Sequence, residues 1–168
     1  LINSLTYAGL PVIEAGSFVS SKWVPQMADT AEVFDGINKE DGVSYPVLVP
    51  NMKGFEQALE SDVEEIAIFT AASETFNKKN TNKSIEESLE AFQEIITQAI
   101  DNDIRIRGYV SCVVGCPYEG RVEAHKVAEI TEKLMAMGCY EVSLGDTIGV
   151  GTPQSIDEML KAVMQRIP

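Results

Sequence analysis

The sequence predicts an α/β protein built on a parallel sheet, and three observations carry that expectation. Short apolar runs rich in Val and Ile alternate with amphipathic stretches of helical period along the whole chain. The candidate strands begin near residues 10, 44, 65, 104 and 140, which leaves room in each interval for a helix and its two connections. Nothing breaks the alternation, because the chain has no linker, low-complexity tract or internal sequence repeat.

The elements follow in order. Residues 1–8 place Leu1, Ile2 and Leu5 on one helical face, and Gly9 sits where a helix would be capped. Leu10 to Gly16 is a short apolar run bounded by Pro11 and Gly16, a buried-strand candidate. A loop with Trp23 and Pro25 leads to a helix from Ala28 to Asn38, carrying Val33, Phe34 and Ile37 at helical spacing. Ser44 to Pro50 reads as a strand and Met52 to Glu60 as a short helix. Glu65 to Ala71 is a strand, followed by a polar, locally basic loop at residues 76–83. Ser84-Ile-Glu-Glu87 is a capping box that opens a helix to about Asp101, with Leu89, Phe92, Ile95, Ile96 and Ala99 on its apolar stripe. Ile104 to Cys112 is a strand, Glu123 to Met137 a helix closed by Gly138, and Tyr140 to Leu144 a strand. Pro153, suited to a first helical turn, opens a last helix to Arg166.

Composition narrows the function. The 168 residues carry 26 acidic and 13 basic side chains, a formal charge of −13. That balance argues against a nucleic-acid binder, since no basic stripe is present to neutralise phosphates. No apolar run approaches the roughly 20 residues of a membrane span. Three cysteines without a secretory signal fit a reducing compartment better than a disulfide framework. Leu1 is not an initiator Met, and the first residues read as a helix already under way, so the chain is expected to be a piece of something longer.

Two architectures use such a pattern: a complete open, doubly wound sheet, or five units of an eightfold barrel. The mean spacing of about 32 residues is close to the roughly 31 per unit of a 250-residue barrel. An open sheet would begin with a strand and carry a phosphate-binding loop after it. Here the chain begins in a helix and contains neither G-x-G-x-x-G nor G-x-x-x-x-G-K-[ST]. The barrel is therefore favoured.

In both architectures ligands meet the C-terminal ends of the strands, where Glu14, Asn51, Thr70, Tyr109, Ser111 and Asp146 stand. On the fourth strand, Arg105, Arg107, Tyr109 and Ser111 share one face, and Ile104, Ile106, Gly108, Val110 and Cys112 the other. The apolar face should meet helices; the polar one suits a barrel interior near a site, or a wet edge. Glu14 lies in an apolar strand on the parity of Val12 and Gly16. A buried carboxylate there needs a ligand or a partner, such as an interior arginine like Arg107. In Leu144-Gly-Asp-Thr-Ile-Gly-Val-Gly-Thr-Pro153, Asp146 is either a metal ligand, base or orienter, or simply a turn-former and cap. The loop's three glycines permit a sharp turn or a close approach to a ligand.

Other chemistry is harder to assemble. Cys112-x-x-x-Cys116 lacks the common zinc spacing, Cys139 is distant, and the single His125 sits among charged residues at a helix start. Neither a closed zinc site nor a Ser/His/Asp triad can be built from these. The basic stretch 76–83 is either a solvated loop or a cationic spot for an anionic substrate.

Four segments resemble the 3-hydroxy-3-methylglutaryl-CoA lyases. They are residues 12–27 (VIEAGSFVSSKWVPQM), 69–80 (FTAASETFNKKN), 108–120 (GYVSCVVGCPYEG) and 137–153 (MGCYEVSLGDTIGVGTP). The last two are specific to the lyases; Gly-Asp-Thr alone also occurs in related condensing enzymes such as isopropylmalate and homocitrate synthases. The resemblance implies an incomplete TIM (β/α)8 barrel over residues 1–168, covering strands two to six of eight and lacking the first strand and the last two units. It implies metal-assisted retro-Claisen cleavage of 3-hydroxy-3-methylglutaryl-CoA to acetyl-CoA and acetoacetate. Glu14 and Asp146 then match active-site carboxylates, Tyr109 and Thr147 substrate-pocket residues, and Asn80 and Ser84 a loop near the CoA-bearing substrate.

The family's Arg-Asp pair, His-x-His pair, catalytic cysteine and metal-binding asparagine have no counterpart in these residues. The divalent cation, Mg²⁺ or Mn²⁺, is therefore expected to be held outside this chain, and the 168 residues alone are expected to be inactive. The complete enzyme is expected to take a CoA thioester, to bind no nucleic acid or membrane, and to form a homodimer. Its compartment would be the bacterial cytoplasm or the mitochondrial matrix. The rival readings are a condensing synthase and a non-catalytic flavodoxin-like domain with strand order 2-1-3-4-5.

Overall fold

A computed structural model describes residues 1–167; Pro168, the last residue of the expected domain, lies outside them. Among the described residues five parallel strands hydrogen-bond in chain order, β1-β2-β3-β4-β7, and a separate two-stranded hairpin is formed by β5 and β6. A sequential order has no switch point, so the flavodoxin-like rival falls and the sheet fits part of a TIM barrel. The chain divides into two units, residues 1–68 with 97–106, and residues 69–96 with 107–168.

The first unit contains α1 (Ile2–Tyr7), β1 (Gly16–Ser17), a 3₁₀ turn (Pro25–Met27), α2 (Thr30–Gly36), β2 (Val47–Leu48) and α3 (Met52–Glu60). It also holds the start of β3 (Glu65–Ala71), the end of α5 (Ile85–Asp101) and the start of β4 (Arg105–Ser111). Its core is Ile13, Phe34, Val47, Val49, Phe55 and Ile66, all buried. The expected first strand is regular over only two residues, with one isolated bridge from Val12 to Ser44.

A bulge explains the shortfall. The amides of Ile13, Ala15 and Phe18 donate to the carbonyls of Ser44, Pro46 and Leu48, so three residues on one side oppose two on the other. The Ser17 amide leaves the ladder for Thr30 Oγ1 (3.3 Å), and the Thr30 hydroxyl donates to the Ser17 carbonyl (3.0 Å). Gly16 is required here, because a Cβ would stand 2.7 Å from Thr30 Cγ2. Val12, Glu14 and Gly16 keep the expected common parity, opposite to buried Ile13, Ala15 and Ser17; the extra residue breaks the alternation only after Ser17, where Phe18 is buried as well. Glu14 itself is exposed between buried Ile13 and Ala15, which corrects the expectation of a buried carboxylate. The buried acid of this unit is Glu65, 2% exposed, which accepts from the Ser44 hydroxyl and pairs with Arg105 at 3.4 Å.

The second unit contains the end of β3, α4 (Glu74–Thr81), most of α5, the end of β4, β5 (Gly115–Cys116), β6 (Gly120–Arg121), α6 (Ala124–Met137), β7 (Glu141–Gly145) and α7 (Pro153–Met164). The expected basic loop after β3 is thus a helix, α4. Its amphipathic stripe is nearly absent, with Asn77 its one buried residue, but its end signals are intact. Ser73 Oγ accepts from the Phe76 amide, Lys78 and Lys79 lie in the last turn, and Asn82 closes it in the left-handed region at φ 58°. The capping box of α5 forms as expected: the Glu87 amide donates to Ser84 Oγ (3.1 Å) and the Ser84 amide to Glu87 (2.7 Å).

β4 pairs with β7 over five consecutive residues, from Arg107–Glu141 to Ser111–Gly145. Ile106, Gly108 and Val110 are buried, and Arg107, Tyr109 and Ser111 only partly so, as the alternation requires. A Cβ on Gly108 would stand 3.2 Å from Leu134 Cδ1 and 3.4 Å from Cys139 Sγ, which identifies the helix-covered face. The opposite face carries Arg107, Tyr109 and Ser111 beside Glu141, Ser143 and Gly145. Arg107 finds its carboxylate on the adjacent strand, Glu141, at 2.6 Å.

Candidate active site

Five of the six expected site residues lie in the second unit, and Glu14 lies in the first. Tyr109 stands on the polar face of β4, one step above Arg107, whose guanidinium lies 5.7 Å from the tyrosine ring centroid. Asp146 and Thr147 follow β7 directly, so they emerge beside the end of β4. The Thr147 hydroxyl accepts from the amide of Cys112, the residue after β4, at 2.8 Å. Tyr109, Asp146 and Thr147 are thereby brought to the C-terminal ends of two paired strands.

Asp146 organises its own loop. Its carboxylate oxygens accept from the amides of Val150 (3.2 Å) and Gly151 (2.7 Å). Gly149 takes φ 65°, and a Cβ on Gly151 would lie 2.8 Å from Asp146 Oδ2. The glycines therefore serve a turn wrapped around the carboxylate. A carboxylate has about four lone-pair sites, so two amides leave capacity for a ligand.

Asn80 and Ser84 belong to the corner between α4 and α5. Asn80 is exposed near the end of α4, and Ser84 is the cap of α5. The corner is held by Asn77, a residue that sequence reasoning missed. Asn77 is 1% exposed; its side-chain oxygen accepts from Thr70, and its Nδ2 shares two protons among the carbonyls of Lys83 and Ser84 (both 3.0 Å) and Ser88 Oγ (2.8 Å). Only its i, i+4 spacing from Thr70-Ala-Ala-Ser73 hints at a role, and Asn80 and Asn82 lie in the same polar run.

The hairpin after β4 reaches the start of α4. Cys116 Sγ lies 3.0 Å from Ser73 Oγ, and the Glu119 carboxylate accepts from the Thr75 amide at 2.6 Å. Burial pushes the Cys116 thiol up, but hydrogen bonds from Ser73 and from the Tyr118 and Glu119 amides outweigh it and leave its pKa lowered. Bonds from the Thr75 side chain and amide hold Glu119 below the usual carboxylate range. Burial raises the Cys112 thiol, and pushes Cys139 up to about 12. All three cysteines are free and buried, while His125 is exposed as expected. Among the described residues no three His, Cys, Asp or Glu side chains group as a metal site, so no step is assigned to a metal held by them. No described helix is long and apolar enough to cross a membrane.

The whole chain is similar to proteins of one kind. A hydroxymethylglutaryl-CoA lyase, mitochondrial, from Gallus gallus is 62% identical over 168 residues, which are 100% of this chain and 56% of that protein. The solved hydroxymethylglutaryl-CoA lyase of Pseudomonas aeruginosa superposes with a TM-score of 0.97 at 54% identity, covering 99% of this chain and 56% of that one. A lyase of Acinetobacter baumannii, solved in complex with coenzyme A and 3-methylmalate, superposes with a TM-score of 0.92 at 34% identity, covering 98% and 53%. The chain thus spans little more than half the length of these relatives. The HMGL-like family model matches residues 1–168, and the chain belongs to that family.

Proposed function

We propose that the protein of which these residues form part cleaves 3-hydroxy-3-methylglutaryl-CoA to acetyl-CoA and acetoacetate. In that reaction the tertiary hydroxyl loses its proton and becomes the ketone of acetoacetate. The bond between the carbinol carbon and the thioester α-carbon breaks, its electron pair forms the enolate of acetyl-CoA, and that enolate takes a proton. Each developing negative charge needs a positioned donor or base.

The observation that carries the proposal is the placement of Tyr109, Asp146 and Thr147 on the ends of two paired strands, in a chain 62% identical to such a lyase along its whole length. Glu14 and Asp146 supply carboxylates to the reacting hydroxyl and enolate. Asp146 is held for this by two amides of its own loop. Tyr109, braced by Arg107, and Thr147 contact the acyl part. Asn80 and Ser84 border the CoA part, beside Lys78 and Lys79, whose charge suits phosphates. Support for a CoA thioester comes from the relative solved with coenzyme A.

The test uses the full-length protein, with Mg²⁺ and with Mn²⁺ in the assay. Acetoacetate release from the thioester is expected, and Glu14→Gln should lower kcat by at least about 100-fold. The melting temperature of the variant, measured beside its kcat, separates a loss of chemistry from a loss of fold. Consumption of acetyl-CoA with a 2-oxo acid, and no acetoacetate, would instead identify a condensing synthase.

A further inference from the structure

The residue that ends β4 is strained, and the proposed chemistry does not account for it. Cys112 follows Ser111 and adopts φ 62°, a left-handed conformation in which residues with a Cβ other than Asn and Asp are uncommon. It is fully buried. The chain is fixed on either side: the Ser111 carbonyl accepts from the Ala72 amide at 2.8 Å, and the Val113 amide donates to the Gly145 carbonyl at 3.1 Å. Between those bonds the left-handed turn swings the Cys112 amide onto Thr147 Oγ1, at 2.8 Å. A buried amide needs such a partner, and the Thr147 hydroxyl supplies it.

We propose that Thr147 is a positioning residue: by accepting from the Cys112 amide, its hydroxyl holds Cys112 in the left-handed conformation and locks the end of β4 against the loop after β7. The lock sets Tyr109 and Ser111, three residues and one residue before the turn, against Asp146, the neighbour of Thr147. It also orients the hydroxyl itself. With one lone pair engaged by the amide, and beside the Cys112 thiol, a weak acceptor, the O–H faces the Gly145 carbonyl at 3.4 Å. That is a poor bond, so the proton remains available to an oxygen of a bound acyl group.

The catalytic side of this inference rests on the lyase reading; the conformational side does not. The full-length protein would be compared with Thr147→Val, Thr147→Ser, and Thr147→Val combined with Cys112→Gly or with Cys112→Ala. Thr147→Val is expected to lower the melting temperature by about 2–4 °C and kcat by about 10-fold, with KM changed less. Thr147→Ser, which keeps the hydroxyl, restores the melting temperature. Glycine at 112 takes a positive φ without help, whereas alanine keeps the Cβ penalty; both lack the thiol. Cys112→Gly should therefore regain stability in the Thr147→Val background, with kcat recovering only in part because the hydroxyl is still absent, and Cys112→Ala should regain neither. Equal behaviour of the glycine and alanine double variants, or a Thr147→Val protein as stable as the parent, would overturn the lock. A parent protein that releases no acetoacetate would sink the lyase reading, while the melting temperatures would still decide the lock.

Discussion

Two corners of the second unit hold irregular backbone beside the strand ends, and they do so by opposite means. The corner between α4 and α5 is organised from the inside by the buried amide of Asn77, which joins the end of β3 to two carbonyls and a hydroxyl. The loop between β7 and α7 is organised from the outside by Asp146, whose carboxylate gathers two exposed amides. Both present expected site residues, Asn80 and Ser84 in one case, Asp146 and Thr147 in the other. The physical difference is what happens when the organiser is lost. Thr70 and Ser88, which flank Asn77, are buried and have little water to turn to, whereas the amides around Asp146 are exposed. A buried hub makes a rigid corner at the risk of a large loss, and an exposed one leaves its carboxylate in reach of a ligand.

Asn77→Ala is the most direct way to break the contrast. It removes the partner of the Thr70 hydroxyl and of the Lys83 carbonyl, leaves the Ser84 carbonyl to Ser88 alone, and should destabilise the protein by about 3 kcal/mol in denaturant titration. Asn77→Asp should come close to it, because a carboxylate cannot donate to the Lys83 and Ser84 carbonyls. A loss below about 1 kcal/mol for both variants would mean that the corner is held by the helix packing and not by the amide.

Asp146→Ala tests the other corner and should have a smaller effect on stability, about 1 kcal/mol, since the freed amides of Val150 and Gly151 turn to solvent. Its effect on turnover should be much larger than its effect on melting. That separation is the signature of a residue placed for chemistry at little structural risk. A stability loss equal to that of Asn77→Ala would erase the distinction between the corners.

The same contrast explains what could be read in the sequence. The polar face of β4 followed from strict alternation over seven residues, and the structure keeps it because five consecutive pairs with β7 leave no room for slippage. The cap at Ser84 was legible because its spacing is local. Asp146 was legible as a turn-former for the same reason. The bulge in β1 was not, since it depends on Thr30, thirteen positions after Ser17, drawing the Ser17 amide out of the ladder. The shared parity of Glu14 and Gly16 was legible, but the apolar neighbours of Glu14 hid which of the two faces is buried. The α4 helix was hidden by its lack of an apolar stripe, because its one buried side chain is an asparagine. Asn77 has no mark that separates it from Asn80 and Asn82; what distinguishes it is the set of groups that surround it in space.

A third way of holding backbone lies between these two, and it responds to pH. Glu119, from the hairpin after β4, accepts from the Thr75 amide in the first turn of α4, and the bonds from the Thr75 side chain and amide together lower its pKa below the ordinary 4.5. A carboxylate whose pKa is lower folded than unfolded stabilises the fold above its unfolded value, and that contribution is lost as pH falls through the folded one. The start of α4 should therefore loosen as the pH falls below the ordinary carboxylate range. Amide exchange at Thr75, normalised to the intrinsic rate, should rise with that fall in the parent protein. In Glu119→Gln it should be modestly raised throughout and flat with pH. Because Glu119 is exposed, the effect should be the smallest of the set, well under that of Asp146→Ala. An equal acid response in the variant would assign the loosening to another carboxylate, and the hairpin would then hold α4 through Cys116 with Ser73 and through Tyr118 against Phe76 and Lys79.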